Sequence, residues 1–528
     1  MERREKKRSE RKKLPIGIQS FEKIRDGEYC YADKTEFIFD LIEKGVYYFL
    51  SRPRRFGKSL LVDTMDCLFS GRRELFDGLY IEDKWDWSGP NPVLKVDWSK
   101  GPVKSPDQLE ALIDKMIDAW EDTYGLKRTG GSHGGRFYDL VENIAEKTRN
   151  KVVVLIDEYD KPILDHIDDP ETAVAMRDVL KGFYGSFKPL DKHLRFLFLT
   201  GVSKFAKTGI FSGLNNLEDI TLDSEFSAIC GYTENNLETV FTDYYAGFDL
   251  NEVREWYNGY SWCGEGVYNP FDILLLFKKR KFESWWFETG TPSFLVKLFG
   301  KNPLEMSRLD NLETGEALLG SYEPESPRIE TLLFQSGYLT VKSYISNSEV
   351  GTIYTLGYPN REVRQALNVL FLTETMVPGN SDVHTSRIRL YRIIEERDLP
   401  ALENYLRSFM SSVPHDWHRN NPVAEYEGYY SSLIYSLFAG LGYDIVPEDT
   451  TSYGRIDLAL RHKRAVWIIE VKTKSPRRKD DGPGTLQQIR ERRYADKYRD
   501  RGLPIILLGL TFNKESRELE NFEWEEAI

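Results

Sequence analysis

The sequence predicts an α/β protein: a parallel sheet flanked by helices, a helical subdomain beyond it, and a second α/β domain at the C-terminal end. Three observations carry this. Continuous apolar runs, VVVLI from Val152 and LRFLFL from Leu194, alternate with amphipathic helical patterns, as strands buried on both faces of a parallel sheet do. A Gly57-Lys58-Ser59 turn joins the apolar stretch Val46 to Leu50 to a helical pattern, Ser59 to Phe69. Near the other end, GRIDLALRH and AVWIIEVKTK read as adjacent strands, each with a carboxylate in an otherwise apolar run.

The chain has 528 residues, enough for about three domains. Apolar content of 41% and charged content of 30% are those of a globular protein with sizeable cores. A net charge of −12 argues against a chain that coats nucleic acid throughout, yet leaves room for a local basic cleft. Cys30, Cys67, Cys230 and Cys263 form no CxxC and no ligand spacing with the histidines, so they read as reduced thiols of a cytoplasmic protein. His415 and His418 lack a third soft ligand nearby and read as a polar turn. No apolar run reaches the length of a membrane span. The basic tail, Met1 to Lys13, has no apolar segment behind it and is not a secretory signal.

In order, Tyr31 to Glu43 has helical apolar spacing and Asn91 to Ser99 reads as a strand. Gln108 to Tyr124 and Phe137 to Lys147 read as amphipathic helices, with a Gly-rich surface loop, Thr129 to Gly135, between them. The strands Val152 to Asp160 and Leu194 to Thr200 follow. Gly231 to Lys297 is rich in aromatics, which we read as the core of a small helical subdomain, with one helix from Glu234 to Tyr245. Phe334 to Leu356 reads as a hairpin turning at Ser346 to Glu349. Tyr358 to Leu372 and Leu399 to Met410 read as helices. The middle region carries no recognisable chemistry.

Strand, tight loop and helix around Gly57-Lys58-Ser59 are the context of a phosphate-binding loop. Gly57 frees the backbone, Lys58 reaches the β- and γ-phosphates, and the Ser59 hydroxyl is placed to ligate Mg²⁺ at a helix N-terminus. Arg52 stands where GxxxxGK[ST] has its first glycine, and Pro53 removes an N–H, so Arg52, Arg54 and Arg55 are candidates for phosphate contacts instead. A basic turn at a helix start is the alternative. The run VVVLIDEYD ends in two acids at the edge where ligands sit in open sheets. Asp157 there would hold Mg²⁺ through water, and Glu158 would orient or deprotonate the attacking water. Ser203, after the strand Leu194 to Thr200, is placed to sense the γ-phosphate; a plain strand-to-loop turn is the alternative.

RPRRFGKSLL, VVVLIDEYDKPI, FLTGVSKF and VYNPFDIL together resemble the AAA-ATPase-like family of prokaryotic proteins, over roughly Leu14 to Ile273. The resemblance implies a P-loop NTPase-like core that binds ATP with Mg²⁺, carrying Lys58, Ser59, Asp157 and Glu158 in those roles.

In the C-terminal region Glu427 to Leu441 reads as an amphipathic helix ended by Gly442. The strands Tyr443 to Pro447, GRIDLALRH and AVWIIEVKTK follow, then a helix, Gln487 to Arg499, and a strand, Leu503 to Thr511. Asp457 and Glu470 lie on neighbouring strands of a hairpin, so both carboxylates can face one Mg²⁺. Glu470 and Lys472 are two apart and share a sheet face. Two acids on a metal with a lysine beside them suit phosphodiester hydrolysis. A surface Glu–Lys pair on an edge strand is the alternative. The spacing D-x12-ExK, with a preceding helix acid and a following Gln/Tyr helix, resembles the PD-(D/E)XK nuclease superfamily over roughly Leu402 to Ile528. By that resemblance the domain is restriction-endonuclease-like, Glu427 is the helix acid, Asp457 and Glu470 are metal acids, Lys472 is the lysine, and Gln488 and Tyr494 fill QIxxxxY. Arg490, Arg492, Arg493, Lys497 and Arg499, with Ser475 to Lys479, present a basic face to a phosphate backbone or simply to solvent.

The sequence therefore reads as an ATPase-like protein, residues 14–230, with a middle region, 231–400, and a nuclease-like domain, 401–528. It expects ATP and Mg²⁺ as cofactors and nucleic acid, DNA ahead of RNA, as partner, with no membrane; a homo-oligomer is compatible with this. The rival reading is a regulator that binds nucleotide as a switch and nucleic acid or a partner protein without cutting.

Overall fold

The computed structural model describes residues 11–205, 210, 214, 216–290, 305–319, 328–375, 383–413, 427–474 and 484–527. The chain divides into two compact units, Met1–Gly290 with Glu313–Thr355, and Thr291–Leu312 with Leu356–Ile528.

The first unit is built on a parallel five-stranded sheet of β1 (Tyr47–Ser51), β2 (Val93–Asp97), β3 (Val152–Asp157), β4 (Leu194–Gly201) and β5 (Glu218–Asp219), in the order β2-β3-β4-β1-β5. Every residue of β1 and β3 is buried, which is why both read as unbroken apolar runs. The register sets Ser51 beside Gly201 and Asp97 beside Asp157, so all the C-terminal strand ends share one edge. One strand, β4, separates β1 from β3, so their ends stand about 10 Å apart, two strand spacings.

The helices Pro106–Thr123, His133–Thr148 and Pro170–Tyr184 start at Ser105, Ser132 and Asp169, whose side chains accept backbone N–H bonds from the first turn. The Ser132 cap draws Gly134 and Gly135 into a helix, where the sequence reads loop. A Cβ on Gly134 would lie 2.9 Å from the carbonyl oxygen of Gly182, so that glycine serves a close approach of two helices. The expected helix Glu234 to Tyr245 is two, Glu234–Val240 and Thr242–Tyr245. Phe241 leaves the helical backbone between them and packs on Tyr232, ring centroids 4.9 Å apart. Around it Leu237, Tyr257, Tyr268 and Phe277 form an aromatic-rich core. Phe334, expected in a hairpin, belongs to the helix Ile329–Gln335. The hairpin proper is β7 (Thr340–Asn347) and β8 (Gly351–Gly357), flanked by β6 (Leu312–Gly315) in the order β6-β8-β7. The Asn347 side chain closes its turn by accepting N–H bonds from Glu349 and Val350.

The second unit holds a mixed sheet, β13-β12-β11-β10-β9, made of β9 (Asp444–Thr451), β10 (Gly454–His462), β11 (Ala465–Lys474), β12 (Ile505–Asn513) and β13 (Leu519–Ala527). Only β11 and β12 run parallel. The helix Glu427–Gly440 is buried at every position from Tyr429 onward except Ser431. It is therefore not the expected amphipathic helix: it lies between the sheet and the helix Arg361–Thr375 and has no face left for solvent. The expected helix Gln487 to Arg499 breaks at Arg493, at φ +48°, into an α-helix, Thr485–Glu491, and a 3₁₀ helix, Tyr494–Arg501. Among the described residues no helix is long and apolar enough to cross a membrane.

Candidate functional site

The loop after β1 is shaped by a buried arginine. The Arg52 guanidinium donates to the carbonyls of Ser51 (2.8 Å), Thr221 (2.9 Å) and Phe226 (3.0 Å), and stacks 4.0 Å from the Trp262 ring centroid. Both Nη groups are spent on backbone and the side chain is fully buried, so Arg52 is no phosphate ligand, contrary to one expectation from sequence. Gly57 opens the next helix at φ +96°, with no atom within 4 Å of where a Cβ would stand; conformation, not crowding, selects glycine there. Lys58 is buried, and its ammonium donates to the carbonyls of Arg52 (2.8 Å) and Pro53 (3.0 Å). Burial pulls its pKa down, opposed by the charges of Asp157, Glu158 and Asp160.

Asp157 ends β3 and is 5% exposed. Burial raises its pKa, while a hydrogen bond with Ser59 and the Lys58 charge oppose the rise. The backbone N–H of Glu158 donates to the Asp157 carboxylate at 3.0 Å, and Glu158 itself sits at φ +51°, a strained backbone for a glutamate. Its pKa is also raised by burial. Beside these groups lies a cavity of about 440 Å³. Arg54, Arg55, Gly57, Lys58, Ser59 and Glu158 line it, together with apolar side chains that include Ile18, Tyr232, Phe271 and Leu274. A cavity with cations, a helix start and apolar walls suits a nucleoside polyphosphate. Ser203 is not on the lining: it is 2% exposed, its N–H donates to Asp160, and its neighbour Val202 faces the cavity instead.

In the second unit the pairing of Leu458 with Ile469 brings Asp457 and Glu470 side by side. Opposite them β9 kinks at Glu448, at φ +50°. The Asp457 carboxylate accepts the Val471 N–H at 2.8 Å. Glu470 is 3% exposed; one carboxylate oxygen accepts a bond from Gln488, and the other, Oε2, is buried with no hydrogen-bond partner. Burial raises both pKa values, and the Asp457 charge lifts Glu470 further, with Lys472 opposing. Glu427, at the start of its helix, accepts the Thr473 N–H at 3.4 Å. The Tyr494 hydroxyl donates to the Arg455 carbonyl at 2.7 Å. An orphaned carboxylate oxygen beside a second raised acid fits a bound cation. Among the described residues no three His, Cys, Asp or Glu side chains gather to hold a metal by themselves, so water and substrate oxygens would complete the shell of a divalent ion held by Asp457 and Glu470.

A model of predicted AAA-ATPases matches residues 15–211, and a model of the PD-(D/E)XK nuclease superfamily matches residues 425–522. A protein of Azotobacter chroococcum mcd 1, described as "Uncharacterized protein in vnfD 5'region", is 46% identical over 513 residues, covering 97% of this chain and 98% of the relative. The chain belongs to this family of AAA-ATPase-like proteins with a PD-(D/E)XK nuclease superfamily domain.

Two cavity residues of the AAA-ATPase-like domain escape sequence reasoning. Lys34 donates to the Ala228 carbonyl (2.8 Å) and to Asn236 (3.2 Å), and burial lowers its pKa to about 8. Asp160, raised by burial to about 6, accepts the N–H groups of Val202 and Ser203 and so ties β3 to the end of β4. A Cβ on Gly201 would stand 2.4 Å from that carboxylate. In the PD-(D/E)XK domain the expected basic helix face is spent internally. Arg490 pairs with Glu525, Arg493 and Arg499 with Asp496, and Lys497 with Asp449, while Arg492 donates to the Tyr453 carbonyl. His415, His418 and the basic stretch 475–479 lie outside the described residues.

Proposed function

We propose that this protein binds and hydrolyses ATP and couples it to Mg²⁺-dependent phosphodiester hydrolysis of nucleic acid, DNA in preference to RNA, in the cytoplasm. We place the ATPase-like part at 14–230, a middle region at 231–400 and the nuclease at 401–528. The observation that carries the nuclease reading is the unpaired Oε2 of Glu470 beside Asp457. A Mg²⁺ ion there would polarise the scissile phosphate and lower the pKa of its water. Asp457 and Glu470 hold the ion, Gln488 fixes Glu470 through its amide, Glu427 supports the site from its helix, and Lys472 steadies the developing negative charge. On the ATP side Lys58, Arg54 and Arg55 neutralise phosphates, Ser59 and Asp157 hold Mg²⁺, and Glu158 orients the attacking water. Plasmid or single-stranded DNA should be cut with Mg²⁺, and the rate should fall at least about 100-fold in Glu470→Ala and Lys472→Ala. Equal cutting by both variants and the parent would remove the nuclease assignment.

One observation favours a second reading for the N-terminal half. Arg52 occupies the place of the first loop glycine, and Lys58 is bound to the loop's own carbonyls, so the site could hold nucleotide as a switch without turnover. Stable ATP binding with no phosphate release and no cleavage selects it.

A further inference from the structure

The cations from Arg490 to Arg499 are paired within the fold, and none of them lines the space beside Asp457. A second cavity, of about 420 Å³, opens beside Asp457. Its walls come from five separate segments of the second unit, which bring Arg308, Arg455 and Lys514 together with Glu427 and Asp457. We infer that Arg455 and Lys514 are positioning residues that hold the backbone phosphates of the strand presented to Asp457. This rests on the nuclease reading above.

The three cations differ in availability. Arg308 is paired with Glu305 three residues before it. The Arg455 side chain is 61% exposed and pairs with Glu448 at 3.2 Å, itself 56% exposed. Such a pair is worth at most about 1 kcal/mol, so Arg455 can exchange that carboxylate for a phosphate. Lys514 is exposed on the turn between β12 and β13. Its backbone is fixed: its N–H donates to the Lys474 carbonyl at 2.9 Å, and the Asn513 side chain accepts the next two N–H groups. A turn with a fixed backbone thus presents the ammonium to the cavity. The chemistry favours a polyanion. Two carboxylates alone would repel a phosphodiester, whereas a cation-lined wall beside them offsets that repulsion and sets the register of the strand. Neither residue touches the orphaned oxygen of Glu470, so both act on the position of the strand.

The test is fluorescence anisotropy of the full chain, carrying Glu470→Ala to prevent cleavage, with a labelled single-stranded oligonucleotide over a salt series. Lys514→Ala and Arg455→Ala should each weaken binding about 3- to 30-fold and lower the slope of log affinity against log salt by about 1, with Lys514→Arg restoring the slope. Unchanged affinity and slope in both alanine variants overturn the inference, as does a Glu470→Ala parent that binds no nucleic acid. Binding with these slope changes in a protein whose unmutated form cuts nothing would uphold the inference and sink the nuclease reading alone.

Discussion

The ammonium of Lys58 is bonded to the carbonyl oxygen of Arg52, six residues earlier, at 2.8 Å. The lysine is thus held over its own loop, beside Asp157 and Glu158, in the cavity proposed above for the triphosphate. Removing it leaves two carbonyls without their donor and the phosphates without their cation. Lys58→Ala should lower ATP affinity at least about 10-fold by titration calorimetry, the loss of a charge-assisted bond. Equal affinity would refute the assignment of this cavity to ATP.

Arg52 makes the opposite prediction. Its three bonds go to backbone and its plane stacks on Trp262, so it stabilises the fold and contacts no ligand. Arg52→Ala should cost about 3–5 kcal/mol in urea unfolding, as the loss of a buried hydrogen-bonded group does. Arg52→Lys should recover little, because an ammonium cannot bridge three divergent carbonyls or stack.

In the proposed ATPase reading Glu158 orients the attacking water and does not hold the phosphates. Glu158→Gln keeps the shape and removes the negative charge. It should leave ATP binding within about 3-fold of the parent while phosphate release falls by about 100-fold or more. A variant that loses binding as well would show that the residue acts on the ground state.

Asp160 sets a pH dependence. Its pKa is raised from 3.8 to about 6 by burial, so the folded protein holds a proton that the unfolded chain has released. A raised acid contributes stability that is complete below about pH 4 and is lost as pH rises through 6, on the order of 3 kcal/mol between those pH values. Asp160→Asn still accepts the Val202 and Ser203 N–H groups, but cannot ionise. Chemical denaturation between pH 4 and pH 7 should show a flatter profile for the variant than for the parent, and parallel profiles would contradict the burial argument.

Much of the architecture can be read from the residues because its signals are local. The apolar runs of β1, β3 and β4, the last interrupted only by Arg195, are long enough to mark strands buried on both faces. Asp457 and Glu470 sit on consecutive strands, so a short hairpin suffices to place them together. What pattern reading misses depends on distant partners. The Arg52 guanidinium answers to Thr221, Phe226 and Trp262, none near it in the chain. The burial of the helix Glu427–Gly440 depends on a second helix covering its outer side. The positive charges after Gln488 form a stripe on paper, but acids from two other stretches and Asp496 within it pair with them, and the backbone turns at Arg493 before the stripe is complete. β13 escapes notice because LENFEWEEA is an edge strand kept polar, with no apolar alternation to announce it.

The contact between Gly201 and Asp160 has a consequence for how this sheet edge can vary. A Cβ there would stand 2.4 Å from the Asp160 carboxylate and 2.6 Å from the Tyr159 ring, so even a methyl group would wedge the tips of two adjoining strands apart. In a library of all twenty amino acids at that codon, glycine should be the sole survivor.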